Sequence, residues 1–217
     1  DVQAGKIISI EPKDIYNKIV NQNRGGYCYE VNGIFSMALS AIGFEYQYVA
    51  ARPMYYPVKR PKTHMAIIVK IDGNKYLCDL GFGSYGIRAP ILIDEKRAID
   101  GYEIVQGFDK YRLSKIENEH FLLEAWNGVE WLLQYSFDFY SPEWIDFAPA
   151  NFLNSKHPDA IFVKTYLVIL MTENGRKILF GDSLKIIENG ITKQSNFQPE
   201  ELDEILQSHF NIKRPMV

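Results

Sequence analysis

The chain has 217 residues, of which 47% are hydrophobic and 14% aromatic, enough to bury the core of one or two globular domains. Its formal net charge of -3 argues against nonspecific nucleic-acid binding, which normally requires a surplus or a stripe of basic residues. Two cysteines are too few for a disulfide framework and no apolar segment is long enough to cross a bilayer, so we expect a cytoplasmic protein without a membrane partner.

Two helices are predicted near the start of the chain. The first covers residues 13–21, because Pro12 marks a helix start and the apolar residues after it recur on one face. The second follows the glycine pair at residues 25–26 and ends at Gly43, since the apolar residues between these points recur at helical spacing. We expect the two helices to pack on each other.

Cys28 falls in the first turn of the second predicted helix. The positive end of the helix dipole and the unpaired backbone amides at that place favour thiolate over thiol, which suits a nucleophile. A lone cysteine is nevertheless more often a small buried hydrophobic residue than a reactive one, and the helix by itself favours that interpretation. Glu30 and Asn32, shortly after the cysteine, are expected to lie on solvated helix surface.

Residues 63–83 predict a hairpin of two apolar strands with a turn at residues 72–73. If the turn has two residues, His64 lies one diagonal step from Asp79 on the same face of the hairpin, so that a carboxylate holds an imidazole. A three-residue turn would shift the register and place His64 on the opposite face. Together with Cys28, these residue types meet the requirements for a nucleophile, a base and an orienting acid.

The middle of the chain is predicted to consist mainly of strands. A strand over residues 44–51 leads into a proline-rich loop at residues 52–62, which we expect to edge a cleft. Further strand-like segments cover residues 87–93, 101–106, 110–116, 120–125 and 131–137. Several short strands joined by turns, with Asn127-Gly128 as the strongest turn signal, predict a barrel or a sandwich.

The last third of the chain mixes helices and strands. Ser141, followed by Pro142, predicts a helix start, and the helix should reach about residue 154. Strands are predicted at residues 162–171, 177–180 and 184–187, with turns at 174–175 and 189–190. Pro199 opens a final helix, which we expect to dock on this part of the chain.

Three segments carry a resemblance to a known family. RGGYCYEVN, PKTHMAIIVKIDGNKYLCDLGFG and NSKHPDAIF are similar to segments of the arylamine N-acetyltransferase family, whose cysteine, histidine and aspartate motifs occur in this order. The resemblance implies Cys28 as the acyl acceptor, His64 as its proton partner and Asp79 as the residue that orients the histidine. It also implies that Phe82 lines the acceptor pocket and that Gly83 contacts coenzyme A.

The fold that this resemblance implies is α+β, with a cysteine-proteinase-like arrangement of an N-terminal helical part, a β-barrel domain and a C-terminal α/β lid. Applied to this sequence, it predicts a helical domain over residues 1–43 that carries the nucleophile, a barrel over 44–140 and a lid over 141–217. Family members usually have further N-terminal helices, so we expect the helical domain of this chain to be N-terminally incomplete.

The activity that the resemblance implies is acetyl-CoA-dependent N-acetylation of arylamines, arylhydrazines or related aromatic amines, by a ping-pong mechanism through an acetyl-cysteine. The partners are then two small molecules, the amine or hydrazine and the coenzyme A thioester. An apolar cleft with Phe82 and Tyr27 or Tyr29 in its walls would exclude water and hold a planar acceptor.

Three alternatives stay open at this point. An amide synthase that uses other acyl donors would have identical catalytic residues, and a cysteine hydrolase of the papain or transglutaminase kind would use the same residue types in a different sequence context. A noncatalytic binding protein would retain the fold without forming an acyl-cysteine. The spacing of Cys28, His64 and Cys78 does not match a zinc motif, so we expect no metal site.

Overall fold

The computed structural model describes residues 1–117 and 119–214. Its α-helices are α1 Pro12–Tyr16, α2 Cys28–Ala41, α3 Ala148–Lys156, α4 Ile161–Lys164 and α5 Leu202–Phe210. A π-helical turn, Asn17–Asn21, continues α1, and short 3-10 helices cover Val2–Ala4, Arg97–Ile99, Trp144–Phe147 and Pro199–Glu201. Within the described residues no helix has the length and the apolar character needed to cross a membrane.

Two antiparallel sheets form in the part of the chain that the structure describes. The larger contains, in spatial order, β4 Ile91–Leu92, β3 Asn74–Cys78, β2 His64–Ile71, β1 Glu45–Pro53, β8 Trp131–Phe137, β7 Phe121–Trp126, β6 Asp109–Lys115 and β5 Tyr102–Gln106. The smaller contains β12 Ile191–Asn196, β11 Ser183–Glu188, β10 Gly175–Phe180 and β9 Leu167–Thr172. Neighbouring strands run antiparallel in both sheets, and most of them follow each other along the chain, as in hairpins and meanders.

The strand β2 is apolar on both faces because it lies between two groups of hydrophobic side chains. Successive strand residues point to opposite faces of a sheet. Ile68 therefore enters the main core enclosed by the larger sheet, whereas Ile67 and Val69 pack against Leu39 of α2. Burial of such a side chain contributes roughly 1.5–3 kcal/mol relative to exposure. This packing fixes α2, and with it the cysteine, on the outside of the sheet.

The smaller sheet has its own hydrophobic core with α5. Leu179 and Leu184 of the sheet pack there with Leu202, Leu206 and Phe210 of the helix. The predicted α+β class is confirmed: helices come first along the chain, a barrel-like eight-stranded sheet follows, and a part with helices and strands ends it. The limits predicted for the three domains stay predictions.

The helix predicted to start at Ser141 starts later. Glu143 is the N-cap of its first, 3-10 helical turn, where the Asp146 carboxylate accepts a hydrogen bond from the Glu143 backbone amide at 2.8 Å. A 3-10 turn then leads into α3. The α-helical part of the first predicted helix is also shorter than expected, since it ends at Tyr16 and residues 17–21 are π-helical.

Two predicted strands are shorter in the structure than expected. Phe162 lies in α4, and the strand expected to begin there begins at Leu167. The turn after this strand comes one residue earlier than predicted, because Thr172 pairs with Gly175. In the segment 87–93 the structure shows only the two-residue strand β4.

Candidate active site

Cys28 is the first residue of α2 and follows the N-cap residue Tyr27. The helix begins here because the Glu30 side chain folds back and accepts a hydrogen bond from the Tyr27 backbone amide at 3.1 Å. Gly26 leaves room for the Glu30 side chain, because a Cβ at position 26 would lie only 2.6 Å from Glu30 Cβ. Glu30 is buried and pairs with Lys18, with 2.5 Å between Nζ and Oε1, so the prediction that it lies on solvated surface is wrong.

The loop after Asp79 packs directly against the backbone of Cys28. A Cβ at Gly81 would lie 2.5 Å from Cys28 Cα and 2.8 Å from Val31 Cγ2, so a larger residue would require the helix or the loop to shift. Glycine is therefore needed at this position for the close approach of two backbones. The contact fixes Cys28 against the loop that follows Asp79.

His64 and Asp79 meet across two neighbouring antiparallel strands, since His64 begins β2 and Asp79 follows β3. Ile71 pairs with Asn74 across the turn, which confirms the predicted two-residue turn and its register. His64 Nε2 lies 2.7 Å from Asp79 Oδ2, and both side chains are buried. The ring nitrogen Nδ1 is thus left for the Cys28 side chain, which also interacts with His64.

Asp79 is held by its own loop as well as by His64. Its Oδ1 accepts hydrogen bonds from the backbone amide of Gly81 at 2.9 Å and from that of Phe82 at 3.1 Å. A side chain that binds backbone amides two and three residues ahead stabilises a tight turn. These bonds occupy Oδ1 and leave Oδ2 facing the histidine, so the carboxylate has a fixed orientation.

Asn32 is a residue of the site that sequence reasoning missed. It is fully buried one turn after Cys28, and its Nδ2 donates to Asp79 Oδ1 at 3.1 Å and to the Met65 carbonyl at 2.7 Å. Its Oδ1 accepts a hydrogen bond from the Leu80 amide at 2.9 Å. Asn32 therefore joins α2 to β2 and to the carboxylate, and it does not lie on solvated surface as predicted. The signal was a poor helix former four residues after the cysteine, on the same helix face.

His64 and Asp79 form a buried ion pair. Burial by itself lowers the pKa of His64, but the charge and hydrogen bond of Asp79, together with the hydrogen bond to Cys28, raise it to about 10. Burial raises the pKa of Asp79, but the charge of His64 and the hydrogen bonds to the carboxylate hold it below its ordinary value. At neutral pH His64 is therefore an imidazolium, held by the Asp79 carboxylate.

Cys28 and His64 line one small cavity of about 50 Å³. Cys28 is only 4% exposed, yet it borders this space and is not sealed in packing. The other walls include Tyr55, Tyr56, Arg60, Phe82, Asn154 and Phe162. The proline-rich loop therefore edges the cavity, as the sequence predicts.

A larger cavity of about 800 Å³ adjoins the small one. Both cavities are bordered by Gly81, Phe82 and Phe162, so these residues separate them. Gly83 and Gly86 also line the larger cavity and expose backbone to it. Its volume lies in the range of about 300–1,000 Å³ that is usual for small-molecule sites.

The aromatic residues predicted to bind substrate lie in different places. Phe82 borders both cavities, and its ring centroid is 5.0 Å from that of His64. Tyr27 lines the larger cavity, and its hydroxyl donates to Asn151 Oδ1. Tyr29 is fully buried in the core, so of the two tyrosines considered it is Tyr27 that reaches a cavity.

Comparisons with known proteins agree with this fold. The arylamine N-acetyltransferase of Mycolicibacterium smegmatis is 28% identical over 197 residues, which cover 88% of this chain and 70% of the relative. The structure of Mycobacterium marinum arylamine N-acetyltransferase in complex with CoA matches with a TM-score of 0.89 and 25% identity, over 98% of this chain and 79% of that one. An arylamine N-acetyltransferase of Bacillus cereus with a Cys-His-Glu catalytic triad matches with a TM-score of 0.82 and 26% identity, over 98% and 83%.

The fold and these matches define the class of protein as an acyltransferase enzyme. Since a family model described as N-acetyltransferase matches residues 1–215, the chain belongs to the N-acetyltransferase family. The family predicted from the three sequence segments is confirmed, and so is the prediction that the protein is an acyltransferase.

Proposed function

We propose that the protein transfers the acetyl group of acetyl-CoA to arylamines, arylhydrazines or related aromatic amines, by a ping-pong mechanism through an acetyl-cysteine on Cys28. The observation that carries this proposal is the 2.7 Å contact of His64 Nε2 with Asp79 Oδ2, beside a cysteine at a helix N-terminus. The CoA complex of the similar M. marinum enzyme supports the donor, and the names of the relatives support the acceptor.

In the first half-reaction Cys28 is the nucleophile and His64 is the acid. The Cys28 thiolate forms a bond to the acetyl carbon while the carbon–sulfur bond of the thioester breaks. The imidazolium gives its proton to the departing sulfur, so that coenzyme A leaves as a neutral thiol. The acetyl group stays on Cys28, and neutral His64 stays bound to Asp79.

In the second half-reaction the amine nitrogen forms a bond to the acetyl carbon of the acetyl-cysteine. Neutral His64 takes the proton of the attacking nitrogen, and the bond from the acetyl carbon to the Cys28 sulfur breaks. The thiolate and the imidazolium are thereby restored. Asp79 holds the ring in one tautomer and stabilises its charged form in both half-reactions.

The larger cavity fits the pantetheine arm of the donor. Gly83 lines this cavity, and we assign it to the contact with the donor. The boundary with the small cavity lies at Phe82, next to His64. A thioester that reaches this boundary from the larger cavity would therefore lie close to Cys28.

Phe82 and Tyr27 are the residues we assign to the acceptor. The Phe82 ring borders both cavities and the Tyr27 ring borders the larger one, so these rings would hold a planar amine and displace water. Exclusion of water matters here because the same acetyl-cysteine is lost when water attacks it in place of the amine.

Steady-state kinetics test the proposal. With acetyl-CoA and 4-methoxyaniline varied together, a ping-pong enzyme gives parallel lines in a double-reciprocal plot of initial rate against concentration. Intersecting lines would contradict the acetyl-cysteine route. Cleavage of peptides in the absence of coenzyme A would indicate a cysteine hydrolase instead.

A further inference from the structure

The peptide group that leads into His64 is held by side chains of two helices. The pairing of β2 with β3 begins at Ile67, so it does not reach His64, the first residue of β2. Just before that residue, the Thr63 carbonyl accepts hydrogen bonds from the Tyr29 hydroxyl at 2.8 Å and from Asn154 Nδ2 at 3.0 Å. A carbonyl removed from water needs such donors, because leaving it unpaired costs about as much free energy as losing a hydrogen bond. Side chains of α2 and α3 therefore fix the backbone at the histidine.

Tyr29 is the residue directly after Cys28 in α2. Its side chain is fully buried, and its ring packs against the Tyr27 ring at 5.3 Å and the Phe147 ring at 5.7 Å between centroids. Burial, with the charge of Cys28, raises the pKa of the Tyr29 hydroxyl above its ordinary value, so the hydroxyl stays protonated and remains a donor. One rigid side chain therefore links the residue after the cysteine to the peptide group before the histidine.

A second side chain of α2 holds the backbone on the other side of His64. Asn32 Nδ2 donates to the Met65 carbonyl at 2.7 Å. Asn32 lies three residues after Tyr29, so the two side chains share one face of the helix. The helix that begins with Cys28 thus grips β2 on both sides of His64.

We propose that Tyr29 is a positioning residue, which sets the separation of Cys28 and His64 through its hydrogen bond to the chain. Asn154 is the second donor that keeps the Thr63 carbonyl in place. The inference rests on the proposed acetyl transfer, in which the His64 ring acts beside the Cys28 sulfur in both half-reactions. Tyr29 lines neither the small nor the larger cavity, so it acts through the backbone and not on a substrate. A misplacement of about 1 Å costs as much as a hundredfold in rate, so the loss of this bond should be measurable.

Iodoacetamide tests the role of Tyr29, because it alkylates a reactive thiol without coenzyme A or an amine. Tyr29→Phe removes the hydroxyl and keeps the ring. It should slow the alkylation of Cys28 at neutral pH by roughly tenfold, the scale of one hydrogen bond, because a displaced His64 no longer stabilises the thiolate. The matched control is Tyr111→Phe, since Tyr111 is also fully buried and donates to the Gly86 carbonyl at 2.8 Å. The control should be alkylated on Cys28 at the normal rate.

Two results would overturn the proposal. Equal slowing in both tyrosine variants would show that a lost buried hydrogen bond, and not the position of His64, controls the reactivity of Cys28. A normal rate in a Tyr29→Phe protein that circular dichroism shows to be folded would exclude the role directly.

Single-turnover acetylation gives a second measurement that a purely structural role would not change in this way. In Tyr29→Phe the maximal rate of acetylation should fall by about tenfold, while the concentration of acetyl-CoA that gives half of this rate should stay the same. A changed half-saturating concentration with an unchanged maximal rate would contradict the proposal, because it would place Tyr29 in donor binding.

Asn154→Leu tests the shared carbonyl and serves as the second variant if Tyr29→Phe does not fold. Alone it leaves Tyr29 on the Thr63 carbonyl, and it should also slow the alkylation of Cys28. The double variant leaves the carbonyl with neither donor, so its rate should fall by more than the product of the two single effects. A loss equal to that product, or a normal rate in Asn154→Leu, would contradict the role of the Thr63 carbonyl.

Alkylation also separates this inference from the proposed function. Slower alkylation of Tyr29→Phe in a protein that acetyl-CoA does not acetylate would support the role of Tyr29 and contradict the proposed function. Normal alkylation of Tyr29→Phe, when the unmodified protein is acetylated on Cys28, would contradict the role of Tyr29 alone.

Discussion

Asn32 Nδ2 lies 3.1 Å from Asp79 Oδ1, and this hydrogen bond joins α2, which carries Cys28, to the carboxylate that contacts His64. Asn32 lies four residues after Cys28 in the same helix. The helix therefore carries the thiol at its start and, one turn later, the amide that binds the Asp79 carboxylate. Gly81, which touches Cys28 Cα and donates to the same carboxylate oxygen, makes a second link. The three proposed catalytic residues are therefore held as one rigid unit.

Replacing Asn32 by alanine should slow acetylation of Cys28 by roughly tenfold to a hundredfold, the scale of a hydrogen bond to a charged group. The physical reason is that Asp79 loses a donor and gains freedom to turn away from His64. Rapid-quench mass spectrometry measures the rate. Asn21→Ala is the control, because Asn21 forms an exposed bond to another asparagine, and this variant should react at the normal rate. Equal rates for both variants would exclude the positioning role of Asn32.

Asp79→Asn should retain the fold but slow acetylation by roughly ten-thousandfold, as when the orienting carboxylate of a triad is lost. The amide has no charge to stabilise the imidazolium, so the pKa of His64 should fall and less thiolate should form. Stopped-flow rates together with circular dichroism check both parts of this expectation. A folded variant with a near-normal rate would rule out the role assigned to Asp79.

Gly81→Ala should destabilise the protein by about 1–3 kcal/mol, because the added Cβ would overlap Cys28 Cα. For a chain of this size the melting temperature should fall by roughly 2–4 °C for each kcal/mol. Gly25→Ala is the matched control, since Gly25 is exposed and a Cβ there meets nothing within 4 Å. Differential scanning calorimetry compares the two. A Gly81→Ala protein as stable as the control would show that the two backbones separate at little cost.

Because His64 and Asp79 form an ion pair, the free energy of unfolding should depend on pH. The pKa of His64 is raised to about 10 in the folded protein. The stability that His64 contributes to the folded state is therefore complete below its unfolded pKa of 6.5 and is lost as the pH rises toward 10. The pKa of Asp79 is lowered, so its contribution is present above the unfolded value of 3.8 and is lost at lower pH. Urea unfolding of the unmodified protein and of Asp79→Asn should therefore differ most near pH 6. A difference in free energy that does not narrow between pH 6.5 and 10 would contradict this assignment.

The parts of the site that follow from local signals were predictable. The turn at Asp72-Gly73 has two residues that favour positive φ, and its length set the register that brings His64 to Asp79. The start of α2 followed from the glycines before Cys28 and the apolar spacing after it. Both depend on residues close together in the sequence.

The parts that depend on distant partners were not predictable. Glu30 and Asn32 resemble ordinary polar residues of a helix surface, and their burial is explained only by Lys18 and Asp79, which other segments bring to them. The apolar residues near Phe162 suggest a strand, but the chain makes a helical turn there, with Phe162 5.4 Å from the Tyr27 ring. Such tertiary contacts outweigh local propensity.

The central claim is that Cys28 is the acyl acceptor of a unit with His64 and Asp79, and intact-mass analysis after mixing with acetyl-CoA tests it most directly. We expect a single acetyl group, mapped to Cys28, that is absent in Cys28→Ala and is discharged by an arylamine. Cys78→Ala should still be acetylated, because burial, with the nearby charge of Asp79, raises the pKa of the Cys78 thiol to about 11 and keeps it protonated at neutral pH. Unmodified protein that stays unacetylated, or a Cys28→Ala protein that still gains the group, would contradict the account.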